Sequence, residues 1–130
     1  MNISKNTQKK IFSKEIVIPL VVFFFTFILD RVSKETIINY NKINQTIFIN
    51  DYLNFDLVWN TGISFGLLSQ DANIYYHLIS LLVFLVITFL IYLITKSDII
   101  EKFLFSLILG GASGNLYDRI NYSAVPDFID

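Results

Sequence analysis

The sequence predicts an all-α membrane protein: a transmembrane helix bundle of three spans with a small β element on the outer membrane surface. Three observations carry this expectation. Hydrophobic residues make up 54% of the 130-residue chain and aromatics 16%, more apolar surface than one soluble domain of this size can hide, so lipid is the expected solvent. The run from Ala72 to Thr95, ANIYYHLISLLVFLVITFLIYLIT, carries no charge, and a spanning helix needs roughly 20 apolar residues. Between the apolar runs the chain changes character: from Thr46 it reads TIFINDYLNFDLVWN, rich in β-branched and aromatic residues.

The first span is Ile16–Leu29, IVIPLVVFFFTFIL, which Ile11 and Phe12 extend past Lys14 and Glu15, whose charged ends can snorkel. A cleavable signal peptide is the competing reading, given the lysines before it. The long apolar core, followed by charged Asp30-Arg31-Val32-Ser33-Lys34 in place of a small-residue cleavage site, argues against removal. The third span is Phe103–Tyr117, lengthened by Ile99 and Ile100. Lys5, Lys9, Lys10 and Lys14 precede the first span, and Lys96 and Lys102 occupy the short second connection, so both regions are expected in the cytoplasm. The long connection, about 30–71, and the C-terminal tail then face outside. There Phe55, Leu57 and Trp59 alternate with Asp56, Val58 and Asn60, the period of two of a half-buried strand, with Trp59 at the interface. No internal repeat or second domain is visible, and residues 1–130 read as one integral membrane domain.

Composition also excludes. A net charge of −1 with scattered basic residues gives no reason to expect nucleic acid. The chain has no cysteine, which removes disulfides, thiolate chemistry and Cys-ligated metals. His77, the only histidine, starts a span with no second histidine to share a metal, and reads as an interfacial residue. No metal or cofactor is expected.

Four short stretches carry the polar chemistry, each with a plainer alternative. Gly110–Arg119, GGASGNLYDR, follows directly on FLFSLIL. Gly110, Gly111 and Gly114 allow helix backbones to approach, and packing alone would explain them. Asn115 and Asp118, however, are three apart and share a helical face, and ionisable groups at membrane level are costly and usually functional. Asp30 and Lys34 stand one turn apart and make an ion pair on any helix. Asn60-Thr61-Gly62-Ile63-Ser64-Phe65-Gly66 reads as a turn leaving a strand. Val125-Pro126-Asp127-Phe128 reads as an extended stop, because proline pushes Val125 out of the helical region. Asp30, Asn60, Asn115, Asp118 and Asp127 all fall on the outer side.

Together these stretches resemble one family, the lipoprotein signal peptidases (signal peptidase II), bacterial membrane aspartyl peptidases. The resemblance runs from about Ile16 to the last residue. Asp30 and Lys34 match its Leu-Asp-x-x-Ser/Thr-Lys motif, and Asn60, Gly62 and Phe65 its Asn-x-Gly-x-Ala-Phe loop. Gly110 to Arg119 match Gly-Gly-Ala-x-Gly-Asn-x-x-Asp-Arg in full, and Asp127 and Phe128 match Val-x-Asp-Phe. Arg31 stands where the family usually has Gln, Ser64 replaces Ala, and Pro126 replaces a common Val. The family pattern continues into Phe-Asn-x-Ala-Asp, which supplies a second catalytic aspartate, and then into a fourth spanning helix. Neither is among the 130 residues, so the expectation is either a fragment of a longer protein or a C-terminally truncated chain, inactive as it stands.

The resemblance implies an aspartyl endopeptidase of the bacterial cytoplasmic (inner) membrane. It would remove signal peptides from prolipoproteins, cutting just before the diacylglyceryl-modified cysteine, with membrane lipid as its surroundings and its site facing outside. Asp127 is implied as one catalytic carboxylate, with Asp118 in reserve but expected rather to hold Arg119 or nearby backbone. Asp30, Lys34, Asn60, Gly62, Phe65, Gly114, Asn115, Asp118 and Arg119 are implied to shape the substrate pocket. The rival, from another class, is a non-enzymatic small membrane subunit or transporter half. It predicts charges spread through the membrane thickness, whereas here they gather at one face.

Overall fold

The computed structural model describes residues 14–41, 47–50, 53–55, 57–62 and 73–127. These form helix α1 (Lys14–Asn41), strands β1 (Ile47–Asn50), β2 (Leu53–Phe55) and β3 (Val58–Asn60), helices α2 (Asn73–Lys96) and α3 (Ile99–Tyr122), and strand β4 (Val125–Asp127). Among the described residues three helices are long and apolar enough to cross a membrane, the three that the apolar runs predict. Ile11, Phe12 and the lysines before Lys14 lie outside the described residues.

The first helix outlasts its apolar run. A connection was expected from Asp30, whereas α1 continues to Asn41. Nothing between Arg31 and Asn41 breaks a helix: there is no glycine or proline. Ser33 and Thr36 each turn their hydroxyl onto the carbonyl four residues back, at 2.7 Å. At 1.5 Å per residue the 28 residues of α1 make about 42 Å, longer than a hydrocarbon core of about 30 Å. The last turns of α1 therefore carry Arg31 and Lys34 beyond the apolar run.

The centre of the fold is α3, which packs against both α1 and α2. Its start is fixed by Asp98, whose side chain accepts the N–H groups of Ile100 and Glu101 at 2.9 Å each. Along the interface with α1, Lys102 meets Glu15, Gly110 meets Phe23 to Phe27, and Gly114 meets Asp30. Both series ascend, so the two helices run parallel and their C-terminal halves share one end. Helix α2 runs the other way, because Tyr76 near its start donates to the carbonyl of Arg119 near the end of α3. Much of its apolar surface, including Leu78, Leu82, Leu85, Phe89 and Tyr92, is more than half exposed, as suits a helix solvated by lipid.

Two of the three glycines make the close approach to α1. A Cβ on Gly110 would stand 2.7 Å from Thr26 Cβ and 3.0 Å from the Phe23 carbonyl oxygen. One on Gly114 would strike the Asp30 carboxylate, 2.7 Å from its Cγ. Gly111 was expected to share this role and does not: a Cβ there meets nothing within 4 Å, because one residue turns it away from α1.

The expected small β element forms two antiparallel pairs, and the run expected to alternate as one strand, Phe55 to Asn60, is divided between β2 and β3. β1 pairs with β2, with Ile47 opposite Phe55 and an irregularity between Phe48 and Asn50. β3 pairs with β4, placing Val58 opposite Asp127, Trp59 opposite Pro126 and Asn60 opposite Val125. Val58 and Trp59 are both exposed, so the alternation does not separate a buried from an exposed face. The cause is the partner: β3 pairs with a strand arriving from the far end of α3, and Trp59 lies against the Tyr122 ring at 5.5 Å.

Candidate active site

The C-terminal halves of α1 and α3 meet in a compact group of charges. Asp30 and Lys34 share one face of α1, and Asn115 and Asp118 share the facing side of α3. The Lys34 ammonium has three donors and meets three partners: Asp30 Oδ1 at 2.9 Å, Asn115 Oδ1 at 2.8 Å and Asp118 Oδ2 at 2.7 Å. Lys34 is 6% exposed and Asp118 fully buried, so each depends on the other for the solvation that water would otherwise give. Gly114 makes this geometry possible, since any side chain there would displace Asp30.

Asp118 was expected to hold Arg119 or nearby backbone; it acts electrostatically on Arg119, but its close ionic contacts are with α1. Besides Lys34 it meets Arg31, whose Nη2 lies 2.6 Å from Asp118 Oδ1 in an ionic contact off hydrogen-bond alignment. Arg31 also reaches Asp30 at 3.1 Å, and its guanidinium lies over the Tyr117 ring, 4.8 Å from the centroid. In the sequence Arg31 stands out only as a departure from the family pattern. Its adjacency to Asp30 was the available signal, but neighbours in a helix do not face each other, and only the length of the arginine carries it back.

Arg119 works on another side. Its Nη2 donates to the Gly62 carbonyl at 2.9 Å, and its own carbonyl accepts the Tyr76 hydroxyl, so one residue links α3 to α2 and to the turn after β3. That turn is closed by Asn60, whose Oδ1 accepts the Gly62 N–H at 2.8 Å, the side-chain turn its sequence predicts. Tyr76 was not singled out, and a tyrosine at the start of a span carries no signal beyond an interfacial preference. Asp127 ends β4, exposed, opposite Val58, and β4 packs against both α3 and α1. Ala124 and Pro126 are buried beneath it. Phe65 and Phe128 lie outside the described residues. His77 is exposed at the start of α2 with its ring against Tyr76, 5.4 Å between centroids.

The structure thus brings Asp30, Lys34, Gly114, Asn115 and Asp118 into one cluster, and joins Asn60, Gly62 and Arg119 into a second, adjoining one. The profile of the family described as signal peptidase (SPase) II matches residues 22–130. The chain belongs to the signal peptidase II family. It is 44% identical over 125 residues to the lipoprotein signal peptidase of Pelagibacter ubique, covering 95% of this chain and 75% of that one. The lipoprotein signal peptidase of Francisella tularensis subsp. novicida is 42% identical over 108 residues, covering 78% of this chain and 65% of its own. In solved structures the fold is similar to a bacterial membrane enzyme determined by the in meso method at 2.3 Å resolution. That likeness has a TM-score of 0.76 at 27% identity, over 88% of this chain and 70% of the other. Signal peptidase II is a protease that acts on lipoprotein precursors, and the chain is a multi-pass bacterial membrane protein.

Proposed function

We propose that this chain carries the prolipoprotein signal peptidase site, and that the substrate is the diacylglyceryl-modified precursor, cut just before its lipidated cysteine. The observation that carries the residue assignment is the contrast between two aspartates. Asp118 is fully buried and held by Lys34 and Arg31, whereas Asp127 is exposed at the end of a strand beside the same helix ends. A carboxylate that must meet water and a peptide carbonyl needs access, and Asp127 has it.

In this reading one ionised carboxylate takes a proton from water as the water oxygen bonds to the scissile carbonyl carbon. A second, protonated carboxyl assists the carbonyl oxygen. Collapse then breaks the C–N bond, and the amine of the lipidated cysteine leaves with the proton that the first carboxylate took from water. Like charges in proximity push two carboxyl pKa values apart, which allows one acid and one base. Asp127 is one member, and the family resemblance assigns the other to the family's Phe-Asn-x-Ala-Asp segment. Asp30, Lys34, Asn115 and Asp118 form the polar wall, and Asn60, Gly62 and Arg119 hold the turn beside it. Phe65 and Gly114 complete the set, the latter by making room for Asp30. No metal or cofactor takes part.

The site faces outside in this reading, with the N-terminus in the cytoplasm, which the lysine distribution supports. Lys42→Cys should react with an impermeant maleimide in intact cells; reaction only after permeabilisation would invert the topology. Activity should survive a chelator, and loss reversed by zinc would refute the metal-free reading. The function itself is tested by incubating full-length protein with a diacylglyceryl-modified prolipoprotein and sequencing the product by mass spectrometry. The expected N-terminus is the lipidated cysteine, and no cleavage, or cleavage elsewhere, would contradict the proposal.

A further inference from the structure

We infer that Tyr76 is a positioning residue of the site: its hydroxyl pins the turn that leads from α3 into β4, and so fixes the place of Asp127. The inference rests on the functional reading above, which makes Asp127 a reacting carboxylate. Tyr76 stands near the start of α2 and donates to the carbonyl of Arg119. The same carbonyl accepts the N–H of Ser123 at 3.1 Å, the bond that closes the last turn of α3. A carbonyl oxygen has two lone pairs, so both donors fit on it. Ser123 caps the helix in the left-handed region, φ 56° and ψ 17°, where glycine is the usual occupant. A residue with a side chain adopts that conformation at a cost, and it persists only where its surroundings hold it. β4 follows at once, with Ala124 and Pro126 buried, and ends in Asp127.

The aliphatic hydroxyls of α2 bond within their own helix. Ser80, Thr88 and Thr95 donate to carbonyls of α2 at 2.9, 3.0 and 2.7 Å. The Tyr76 hydroxyl goes to α3 instead, and there it meets a residue held on two arms. The Arg119 carbonyl carries Tyr76 and Ser123, while its guanidinium donates to the Gly62 carbonyl at 2.9 Å. The arms lead to different parts of the site. The guanidinium reaches the turn after β3, on the side of the substrate pocket, and a disturbance there should appear in KM. The carbonyl reaches the cap and β4, so a disturbance there displaces Asp127 from the scissile carbonyl. Since a misplacement of about 1 Å costs up to about a hundredfold in rate, loss of the Tyr76 hydroxyl should appear chiefly in kcat.

The test compares full-length unaltered protein with Tyr76→Phe, Ser123→Gly, the double variant Tyr76→Phe/Ser123→Gly and a control, Tyr92→Phe. The control removes a hydroxyl from the lipid-exposed far end of the same helix. Each is purified in detergent and measured for kcat and KM on a diacylglyceryl-modified prolipoprotein, per folded molecule, and for amide hydrogen exchange in a peptide covering 120–127. Tyr76→Phe keeps the ring and should lower kcat about fivefold with KM changed less than about twofold, while exchange in that peptide quickens. Glycine at 123 accepts the left-handed turn without help, so the double variant should regain slow exchange and a kcat within about twofold of the unaltered value. Tyr92→Phe should match the unaltered protein in every readout. Unchanged kcat in Tyr76→Phe, a loss confined to KM, or equal effects of Ser123→Gly with and without the Tyr76 hydroxyl would each overturn the inference. Failure of the unaltered protein to cleave would sink the functional reading instead. Exchange would then decide the pinning by itself, and unquickened exchange in Tyr76→Phe would refute it.

Discussion

The joined ends of α1 and α3 and the β3–β4 pair treat their acidic residues in opposite ways. On the helices Asp30 and Asp118 are drawn inward, matched by Arg31 and Lys34, and locked by glycines that admit no side chain. On the strands Asp127 stands exposed at the end of β4, above the buried Pro126. A buried carboxylate held between cations contributes chiefly geometry, because its oxygens are occupied by its partners and shut off from water. An exposed one on a braced strand can meet water and substrate. The difference suggests a division of labour that fits the proposed function: the most conspicuous charges in the motif join the helices, and the less conspicuous strand end is the part exposed to water.

That comparison can be broken from the helix side first. Lys34→Met should leave Asp30 and Asp118 without their shared cation and cost about 3–5 kcal/mol, read as a collapse of the melting transition in detergent. Survival of a normal melting temperature would mean that the cluster is not what joins the helices. Gly114→Ala should cost about 1–3 kcal/mol, since the new methyl displaces Asp30, and should lower activity with it. On the strand side Asn60→Ala removes the bond that closes the turn at Gly62 and should cost about 1 kcal/mol in stability while raising KM. Smallest is Gly111→Ala: open space on that side and better helix propensity should make it neutral or stabilising by up to about 1 kcal/mol. Equal damage at 111 and 114 would contradict the assignment of the packing face.

Most of the helical half of this picture is legible in the sequence, because it depends on local spacing. Asp30 and Lys34 at i,i+4 and Asn115 and Asp118 at i,i+3 define faces before any fold is known, and the apolar runs define the spans. What escapes local spacing is partnership. The sequence offers Arg119 to Asp118 as its neighbour, yet the fold gives Asp118 to Arg31 and Lys34 from another helix. Likewise the alternation through Trp59 implies a buried face, but β3 takes its partner from beyond α3 and leaves Trp59 against Tyr122. The length of α1 was underestimated because hydropathy ends at Leu29, while helix propensity does not.

The division of labour between the two aspartates is tested most directly by cleavage of a diacylglyceryl-modified prolipoprotein by full-length Asp127→Asn and Asp118→Asn proteins, scored per folded molecule. The account predicts that Asp127→Asn melts like the unaltered protein and does not cleave. Asp118→Asn should melt lower, yet its folded fraction should still convert precursor to mature form. Cleavage by a folded Asp127→Asn protein, or a normally stable Asp118→Asn protein with no activity, would contradict it.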